Sequence, residues 1–444
     1  MDYIVNTPCG PVQGCAGRVP GTAAYKGIRY ATAGRWEYPR QVTFWEGTYD
    51  ATAYGACSYQ PRAFYNEEEN LKKIFYYNEF RKGEHYDYSE DCLFLNVYAP
   101  DTAQAGDKLP VLVYIHGGGF TGGCGHEKHF DGPNWPGIIG VTLNYRLGPM
   151  GFVCLPELAS EAGHTGNYGL FDQMTAIQWV RDNIAAFGGD PENITIMGQS
   201  AGAASVQLQS CSPLTKGLFQ KAVMSSGCGM GGMLSCTTEK SCAFWTQVMA
   251  RTGCKTLEDF RTLPPRQLFS AWQQAKGEIK GGNAAAFPVK DGYFVTENGQ
   301  PHDLYYMAGS NSHDIAPPIL HSMTRKFIAN REKPSYTWYF DRRLPGDDNG
   351  AWHSADLWYW FGTLENCWRP MERKDHDLSR QMIAYLCNFV RSGNPNQTGE
   401  LPQWVASDKH QKKVLMLGEK DTAMGKPGKL KMIHTMLTNK AVGE

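Results

Sequence analysis

The sequence lacks a net charge. Its 444 residues include 43 lysines and arginines against 44 aspartates and glutamates, which leaves a formal charge of −1. A balance of this kind offers no electrostatic attraction for nucleic acid or for acidic membranes. We therefore expect neither nucleic acid nor a membrane among the partners of this protein.

Long apolar runs are also missing. No stretch approaches the roughly 20 apolar residues that a helix needs to cross a bilayer. The first six residues, MDYIVN, have neither the basic start nor the apolar middle of a secretory signal. These absences predict a cytoplasmic location.

Cysteine is plentiful, but its spacing is not that of a metal site. The 13 cysteines contain no CxxC pair or other zinc-type pattern, and their odd number leaves at least one thiol unpaired. Most of them are expected to be small buried hydrophobic residues in a reducing compartment. No bound metal is expected.

The chain alternates between two kinds of apolar pattern. Unbroken aliphatic runs, which are typical of strands covered on both faces, occur at 111–115, 138–143, 194–197, 222–224 and 414–417. Apolar residues with helical spacing run from Leu170 to a stop at Gly188, and again from Leu378 to a stop at Gly393. This alternation predicts an α/β fold, with helices flanking a central, mostly parallel sheet.

No linker divides the chain, so we expect a single domain over residues 1–444. The segment from about 237 to 292 has no strand signal and is predicted to be mostly helical. It is the candidate for a small helical cap beside the sheet.

The most informative motif is Gly198-Gln199-Ser200-Ala201-Gly202, which follows the strand run 194–197. A Gly-x-Ser-x-Gly sequence between a strand and a helix is typical of a nucleophile elbow, in which a tight turn exposes the serine hydroxyl. Larger side chains at the two glycine positions would collide in such a turn. The alternative is an ordinary glycine turn that carries a surface serine.

A second motif would supply the electrostatics of the same reaction. His116-Gly117-Gly118-Gly119-Phe120 follows the strand run 111–115. Glycines at the end of a strand allow backbone N–H groups to approach a substrate and stabilise a developing oxyanion. A flexible glycine loop is the alternative, but two motifs in this order are more specific than either one.

Together with these motifs, several further segments resemble the type-B carboxylesterases. They are 25–31 (YKGIRYA), 89–98 (SEDCLFLNVY), 144–148 (NYRLG), 166–173 (GNYGLFDQ) and 187–191 (FGGDP). The resemblance spans nearly the whole chain and implies an α/β-hydrolase fold with a reduced cap. It also implies that the N–H groups of Gly118, Gly119 and Ala201 form the oxyanion hole.

The resemblance identifies the general base. Twelve histidines are present, and composition alone does not choose among them. The family pattern Gly-x-x-His is matched by Gly350 to His353, after a turn-rich run suited to a loop. His116 belongs to the oxyanion turn, and His164, His302 and His313 are interpreted as ordinary loop residues.

The acid of the triad is assigned by the same resemblance to Asp314, in the segment GSNSHDI at 309–315. The family usually has glutamate followed by glycine, whereas this chain has aspartate followed by Ile315. Aspartate fills this role in other triads, but its shorter stem requires the backbone to come closer. An ordinary surface aspartate is the alternative.

Other positions support or modify this site. Ser226 matches a family serine that orients the triad. Gln199 replaces the glutamate of many relatives, which argues against a quaternary-ammonium substrate. Cys57 and Cys92 match a pair that is disulfide-bonded in secreted relatives, and without a signal peptide they are expected to stay reduced.

The predicted protein is a serine carboxylesterase that needs no cofactor and acts on a small-molecule ester through an acyl-enzyme. Only 39 positions separate Asp314 from His353, which is shorter than is usual in the family and predicts an open pocket. That pocket should accept short or medium esters or aromatic ones. The aromatic residues between 64 and 88, Trp352 and Trp358 are candidate contacts, with packing against the body of the protein as the alternative. Feruloyl or lactone substrates, and a non-catalytic binding relative of the fold, remain alternatives.

Overall fold

The computed structural model describes residues 2–231, 235–282, 287–396, 399 and 401–438. Its main sheet has eleven strands in the order β20-β19-β18-β17-β14-β13-β11-β12-β10-β4-β3. The strands are β1 (Ile4–Thr7), β2 (Gly10–Gln13), β3 (Cys15–Ala16), β4 (Thr22–Arg29), β5 (Ala31–Thr32), β6 (Arg40–Gln41), β7 (Tyr49–Asp50), β8 (Cys57–Ser58), β9 (Tyr88–Ser89), β10 (Phe94–Pro100), β11 (Leu109–Ile115), β12 (Ile139–Leu143), β13 (Gly189–Gln199), β14 (Lys221–Ser225), β15 (Cys236–Thr237), β16 (Val289–Lys290), β17 (Tyr305–Asn311), β18 (Tyr336–Phe340), β19 (Val414–Leu417) and β20 (Ala423–Gly425).

The middle of the main sheet is parallel and its edges are antiparallel. All neighbouring pairs from β12 through β11, β13, β14, β17 and β18 to β19 run parallel. The pairs of β10 with β12, of β4 with β10 and of β19 with β20 are antiparallel. The predicted mostly parallel sheet is therefore confirmed, and each predicted strand run lies within one of its strands except for Ile138, which precedes β12.

Helices cover both faces of the sheet. They are α1 (Ile74–Phe80), α2 (Gly148–Gly151), α3 (Pro156–Ala162), α4 (Tyr168–Asn183), α5 (Ala201–Cys211), α6 (Thr238–Thr252), α7 (Leu257–Arg261), α8 (Pro265–Glu278), α9 (Pro317–Ile328), α10 (Leu357–Phe361), α11 (Arg373–Ser392) and α12 (Lys429–Thr438). Short 3₁₀ turns lie at Pro61–Phe64, Glu67–Glu69, Ile184–Phe187, Pro213–Thr215 and Leu364–Asn366.

Strand β11 shows how the core is divided. Its alternate residues Val111, Val113 and Ile115 belong to the core cluster that contains apolar residues of α4 and α5. Leu112 and Tyr114 point the other way, into a cluster built largely from α10 and α11. Because both faces of the strand are buried, its sequence is an unbroken apolar run.

The two predicted helix ends are confirmed. The α4 segment continues as the Ile184–Phe187 turn and stops at Gly188, where φ is 88°. Helix α11 stops at Gly393, where φ is 78°. Both residues adopt the left-handed conformation that glycine tolerates best, so the chain leaves each helix there.

The segment proposed as a cap contains α6, α7 and α8, apart from residues 283–286, which lie outside the described part of the chain. The expectation that it has no strands is wrong in one detail, because β15 and β16 pair in parallel near its two ends. Strands of two residues carry no periodicity, which explains why the sequence did not reveal them. The helices pack through buried side chains such as Trp245 and Trp272 against residues that include Met150.

Of the helices in the described residues, none is both long enough and apolar enough to cross a membrane.

Candidate active site

Ser200 lies in a sharp turn between β13 and α5. Its φ of 57° and ψ of −125° are a strained combination for a residue with a side chain. A Cβ atom on Gly198 would collide with the backbone of Gly202, and one on Gly202 would collide with the carbonyl oxygen of Ile115. The predicted requirement for glycine on both sides of the serine is thus visible in the backbone contacts.

Asp314 follows β17 and is held by several donors. Its Oδ2 accepts hydrogen bonds from the Ser226 hydroxyl at 2.5 Å and from the Asn311 backbone N–H at 3.0 Å. Its Oδ1 accepts the Ile315 backbone N–H at 2.9 Å and bonds Nδ1 of His353. The carboxylate is buried, so these contacts fix it in one orientation.

The structure also shows how the short aspartate reaches the histidine. The backbone N–H of His313 donates to the carbonyl of Ala351 at 3.0 Å, and an isolated parallel bridge joins His313 to Trp352. The two loops that carry Asp314 and His353 are therefore tied together next to the side chains. This contact between the loops agrees with the expectation that the shorter aspartate side chain requires its backbone to lie closer to the histidine.

The Nε2 atom of His353 lies 3.1 Å from Nε2 of Gln199. Within the described residues, the Ser200 hydroxyl has no hydrogen bond. The hydrogen-bond partner of His353 Nε2 is therefore the Gln199 amide and not the Ser200 hydroxyl. The Tyr76 hydroxyl donates to the carbonyl oxygen of His353 at 3.2 Å and holds the histidine backbone. Neither the Gln199 contact nor the Tyr76 contact could be predicted from the sequence.

The glycine turn faces the elbow. Gly118 and Gly119 have φ values of 104° and 63°, and both residues are exposed to the cavity. In the described part of the chain, the N–H groups of these glycines and of Ala201 donate to no protein acceptor. A Cβ atom on Gly117 would come within 2.7 Å of the Gln199 carbonyl oxygen, so the turn packs directly on the elbow.

His116, the first residue of this turn, is 2% exposed and is one of the residues that line the cavity. Its Nδ1 contacts the Gly117 carbonyl at 2.8 Å, and its ring stacks on Tyr145 with centroids 4.4 Å apart. Burial lowers the pKa of His116 to about 4, so the imidazole is neutral near pH 7. This agrees with the interpretation of His116 as part of the oxyanion turn.

A second buried carboxylate, which the sequence did not single out, lies behind the first. Asp356 is 0% exposed and accepts hydrogen bonds from the Ser225 hydroxyl at 2.6 Å, the Asn311 amide at 3.1 Å and the Trp360 indole at 3.1 Å. Burial raises the pKa of Asp356. Because Asn311 also donates its backbone N–H to Asp314, one residue braces both carboxylates.

These residues border a cavity of about 440 Å³. Apart from the predicted site residues, much of its wall comes from the segment between residues 60 and 81, including Tyr65, Tyr76 and Phe80. Trp352 lies below the surface, since it is 0% exposed and packs against Phe80. His313, which was interpreted as an ordinary loop residue, also lines the wall.

Two ion pairs lie in the cavity wall. Arg62 bonds Glu127 at 2.6 Å, and Arg81 bonds Glu67 at 2.6 Å. Burial alone would raise the pKa of Glu127, but the charges of Arg62 and Arg81 outweigh burial and lower it to about 2. The wall therefore contains ion pairs as well as aromatic side chains.

Three residues that could hold a metal ion lie close to this wall. The ligand atoms of Cys57, Cys124 and His126 are all within 4.8 Å of one another. All thirteen cysteines are free thiols, and Cys57 faces His126 at 3.7 Å rather than the family partner Cys92. Cys57 precedes Cys124 by 67 positions, and Cys124 and His126 form only a Cys-x-His pair, so no zinc-type pattern was visible in the sequence.

Comparisons with known proteins find similarity over most of the chain. The model of the Carboxylesterase family matches residues 1–326 and 315–436. The para-nitrobenzyl esterase of Bacillus subtilis (strain 168) is 32% identical over 96% of both chains. The bile salt-activated lipase of Mus musculus is 37% identical over 84% of this chain and 75% of its own.

Solved structures show the same likeness. One PNB esterase structure superposes with a TM-score of 0.81 at 27% identity and covers 98% of this chain and 99% of its own. A thermophilic PNB esterase gives a TM-score of 0.82 at 26% identity, over 98% of this chain and 100% of its own.

Proposed function

Because this chain belongs to the carboxylesterase family and is a hydrolase of carboxylic esters, we propose that Ser200, His353 and Asp314 are its catalytic triad. The observation that carries this proposal is the position of Asp314. Its carboxylate bonds Nδ1 of His353, which leaves Nε2 facing the elbow. That is the tautomer in which the imidazole accepts a proton from a serine.

In the proposed reaction, Ser200 Oγ attacks the ester carbonyl carbon while His353 Nε2 takes the hydroxyl proton. The alcohol then leaves with that proton, and the acyl group remains on the serine. Water repeats the sequence to release the acid. Asp314 stays ionised throughout and stabilises the imidazolium. No cofactor takes part in the proposed mechanism.

The negative charge that develops on the carbonyl oxygen would be held by the N–H groups of Gly118, Gly119 and Ala201. This part of the proposal is supported by their freedom from other acceptors and by the exposure of the two glycines to the cavity. Donors that already point at the oxyanion cost no reorganisation during the reaction.

Before attack, the contact between Gln199 and His353 must break so that the serine can reach Nε2. Catalytic hydrogen bonds are often formed only when the substrate is bound. A hydrogen bond of this kind contributes about 0.5–1.5 kcal/mol net, which the substrate's own contacts can offset.

The triad is tested with three variants and a simple aryl ester. Ser200→Ala and His353→Ala should each abolish turnover, because triad members act as a unit. Asp314→Asn should lower kcat on the order of 10⁴-fold, because the amide stabilises the wrong imidazole tautomer. Asp303→Asn, at an exposed aspartate, is the control and should leave kcat unchanged.

Near-wild-type activity of Ser200→Ala would disprove the mechanism. A loss below tenfold in Asp314→Asn would assign the acid to another carboxylate, with Asp356 the nearest candidate. Binding of the ester without turnover by the native chain would indicate a non-catalytic relative of the fold.

We further propose that the pocket accepts bulky aromatic esters as well as short or medium ones. Between Asp314 and His353, the cavity lining in the described residues is confined to the two ends of the segment, at Ile315 and Trp352. Ile315 and Tyr65 are 44% and 37% exposed, so the rim is open to solvent. A pocket without walls on that side has little means of excluding a large group.

This proposal is tested by kcat/KM for a slim ester and a bulky aromatic ester with leaving groups of equal reactivity. We expect the two values to differ by less than about a thousandfold, because turnover depends on the triad and oxyanion donors while discrimination depends on pocket walls. A larger preference for the slim ester would show a closed site. Methyl ferulate and a lactone, assayed in parallel, distinguish the alternative substrates.

A cytoplasmic location is also proposed. The thirteen free thiols support it, and so does the separation of Cys57 from Cys92. Protein taken from its own cells without reductant and then unfolded should label at close to all 13 cysteines. Protection of two thiols that map to Cys57 and Cys92 would indicate an oxidising compartment instead.

A further inference from the structure

The cluster of Cys57, Cys124 and His126 lies behind the cavity wall and has no part in the proposed ester hydrolysis. Cys57 is 0% exposed and Cys124 is 1% exposed, whereas His126 is partly exposed. None of the three is among the residues that line the cavity. Between the cluster and the cavity lie Gln60 and Glu127.

The distances suit a small metal ion. The Sγ atom of Cys57 is 3.7 Å from Nε2 of His126, and all three ligand atoms lie within 4.8 Å of one another. A tetrahedral ion with metal–sulfur bonds of about 2.3 Å and metal–nitrogen bonds of about 2.0 Å separates its ligands by roughly 3.5–3.8 Å. Closure around an ion therefore requires movements of about an ångström or less.

The segments that carry these ligands are already braced. The buried Asn144 side chain accepts the Gly125 N–H at 2.8 Å and donates to the Ala56 carbonyl at 3.0 Å, so it ties together the immediate neighbours of all three residues. His126 is stacked on Tyr54 with centroids 4.5 Å apart and an interplanar angle of 8°. Contacts of this kind resemble the outer contacts that orient the ligands in metal sites.

The charges nearby also suit thiolate ligands. Arg62 places a guanidinium nitrogen 3.8 Å from Cys124 Sγ, and its own charge is paired with Glu127.

We propose that Cys57, Cys124 and His126 bind a thiophilic divalent cation, with Zn²⁺ as the expected ion and water as its fourth ligand. Two thiolates and an imidazole are a ligand set that zinc prefers over the hard cations, which take oxygen ligands. On binding, each thiol releases one proton to solvent, and the ion's two positive charges balance the two thiolates. Water enters on the exposed side of His126.

The ion would stabilise the oxyanion turn without touching the substrate. Cys124 directly follows Gly123, and Gln60 bonds both the N–H and the carbonyl of Gly123 at 2.9 and 3.0 Å. A bound ion would link β8 to the end of this turn. We therefore expect zinc to raise the thermal unfolding midpoint and to change kcat by less than about twofold.

The experiment uses the full-length protein, reduced and stripped with a chelator, then dialysed against one equivalent of Zn²⁺. Elemental analysis should find about one zinc per chain. Cys57→Ser, Cys124→Ser and His126→Gln should each retain less than about 0.1 zinc per chain. Cys242→Ser is the matched control, because its thiol lies 3.4 Å from the Cys154 thiol and should leave the zinc content unchanged.

Cobalt gives a readout that does not depend on variant folding. Reduced wild-type protein loaded with Co²⁺ should show a thiolate-to-cobalt charge-transfer band, which the catalytic His353 and Asp314 cannot produce. Its absence, or equal zinc content in all the variants, would overturn the proposal. The proposal would also be overturned if Cys57 and Cys124 formed a disulfide in air and the protein still bound no zinc after that disulfide had been reduced.

Discussion

The Gln199 side chain contacts Nε2 of His353, the nitrogen that would accept the proton of Ser200. Gln199 directly precedes Ser200 in the sequence. Its amide makes the 3.1 Å contact with His353 Nε2 without adding charge to the site. A carboxylate there would stabilise the protonated imidazole, which cannot accept the serine proton. The neutral Gln199 side chain adds no such stabilisation.

Replacing Gln199 by glutamate tests this argument. In Gln199→Glu, the acid limb of the kcat/KM profile should move to higher pH by up to about one unit, because a carboxylate now faces the imidazolium. Activity at pH 6 should fall relative to activity at pH 8. Gln199→Met, which removes the contact without adding charge, should leave the acid limb in place. Equal acid limbs in all three enzymes would refute the argument.

Ser226 and Ser225 form a matched pair on β14 and the residue after it. Ser226 donates to Asp314, whereas Ser225 donates to Asp356. A hydrogen bond to a charged group contributes about 1.5–3 kcal/mol, so Ser226→Ala should lower kcat on the order of tenfold or more with little change in KM. Ser225→Ala should change kcat by less than about threefold, while it destabilises the fold through Asp356. The opposite ranking of kcat would contradict the proposed acid.

The sequence predicted the members of this site better than their contacts. The motifs around Ser200, Asp314 and His353 have local patterns, because each needs a particular turn. Asp356 and Tyr76 lack such a pattern, since their importance arises only when the chain is folded. The contacts of Gln199 and Ser226 likewise depend on side-chain directions that no local pattern encodes.

Among the elements, the packing of α5 against β11 determines the position of Ser200, the proposed nucleophile. At Gly202, in the first turn of α5, the backbone comes so close to Ile115 that a Cβ atom would collide with its carbonyl and lie 2.8 Å from that of His116. The oxyanion turn begins at the same residue, His116. The nucleophile and the oxyanion donors therefore share one contact between helix and strand.

Gly202→Ala should therefore reduce both activity and stability. A clash with backbone cannot be relieved by rotating a side chain, so we expect a loss of about 1–3 kcal/mol or more in the free energy of unfolding. Gly277→Ala is the control, because Gly277 lies in α8 with open space around it and alanine favours helix by about 0.5–1 kcal/mol. Urea denaturation and kcat measured on both variants check this. A Gly202→Ala enzyme with native stability would disprove the close packing.

Strands and long helices were predictable because their periods are set by burial on one face or both. The sequence left open whether the aromatic residues between 64 and 88 line the site or pack against the body of the protein, and the structure shows some in each role. Tyr65, Tyr76 and Phe80 line the cavity, whereas Tyr86 packs near His126. The α-helix of this segment, α1, has only seven residues, and so short a helix gives little periodicity to indicate which side faces the substrate; its contacts depend on the tertiary fold.

Over the whole molecule, burial of uncharged histidines links the fold to pH. His116 and His129 are each 2% exposed, and burial lowers the pKa of His116 to about 4 and that of His129 to about 3. In the unfolded chain both would titrate near 6.5. Between these values the unfolded state binds more protons than the folded state, so the free energy of unfolding falls as the pH falls.

The expected loss is large enough to measure. The contribution of the two histidines is fully present above pH 6.5 and disappears as the pH falls towards 4, with up to about 1.4 kcal/mol per histidine per pH unit. From pH 7 to pH 5 the two together should lower the free energy of unfolding on the order of 4 kcal/mol. Urea denaturation midpoints at pH 7, 6 and 5 measure this change.

His129→Gln separates this effect from general acid sensitivity. The glutamine is neutral at every pH, so the decrease between pH 7 and pH 5 should shrink by about 2 kcal/mol, the share of one buried histidine, even if the variant is less stable overall. His85→Gln is the control for the substitution itself, because the His85 side chain is 89% exposed. If His129→Gln kept the full pH dependence while its folded structure stayed intact, the protons would be taken up elsewhere. The acid sensitivity would then arise from groups other than the buried histidines behind the oxyanion turn.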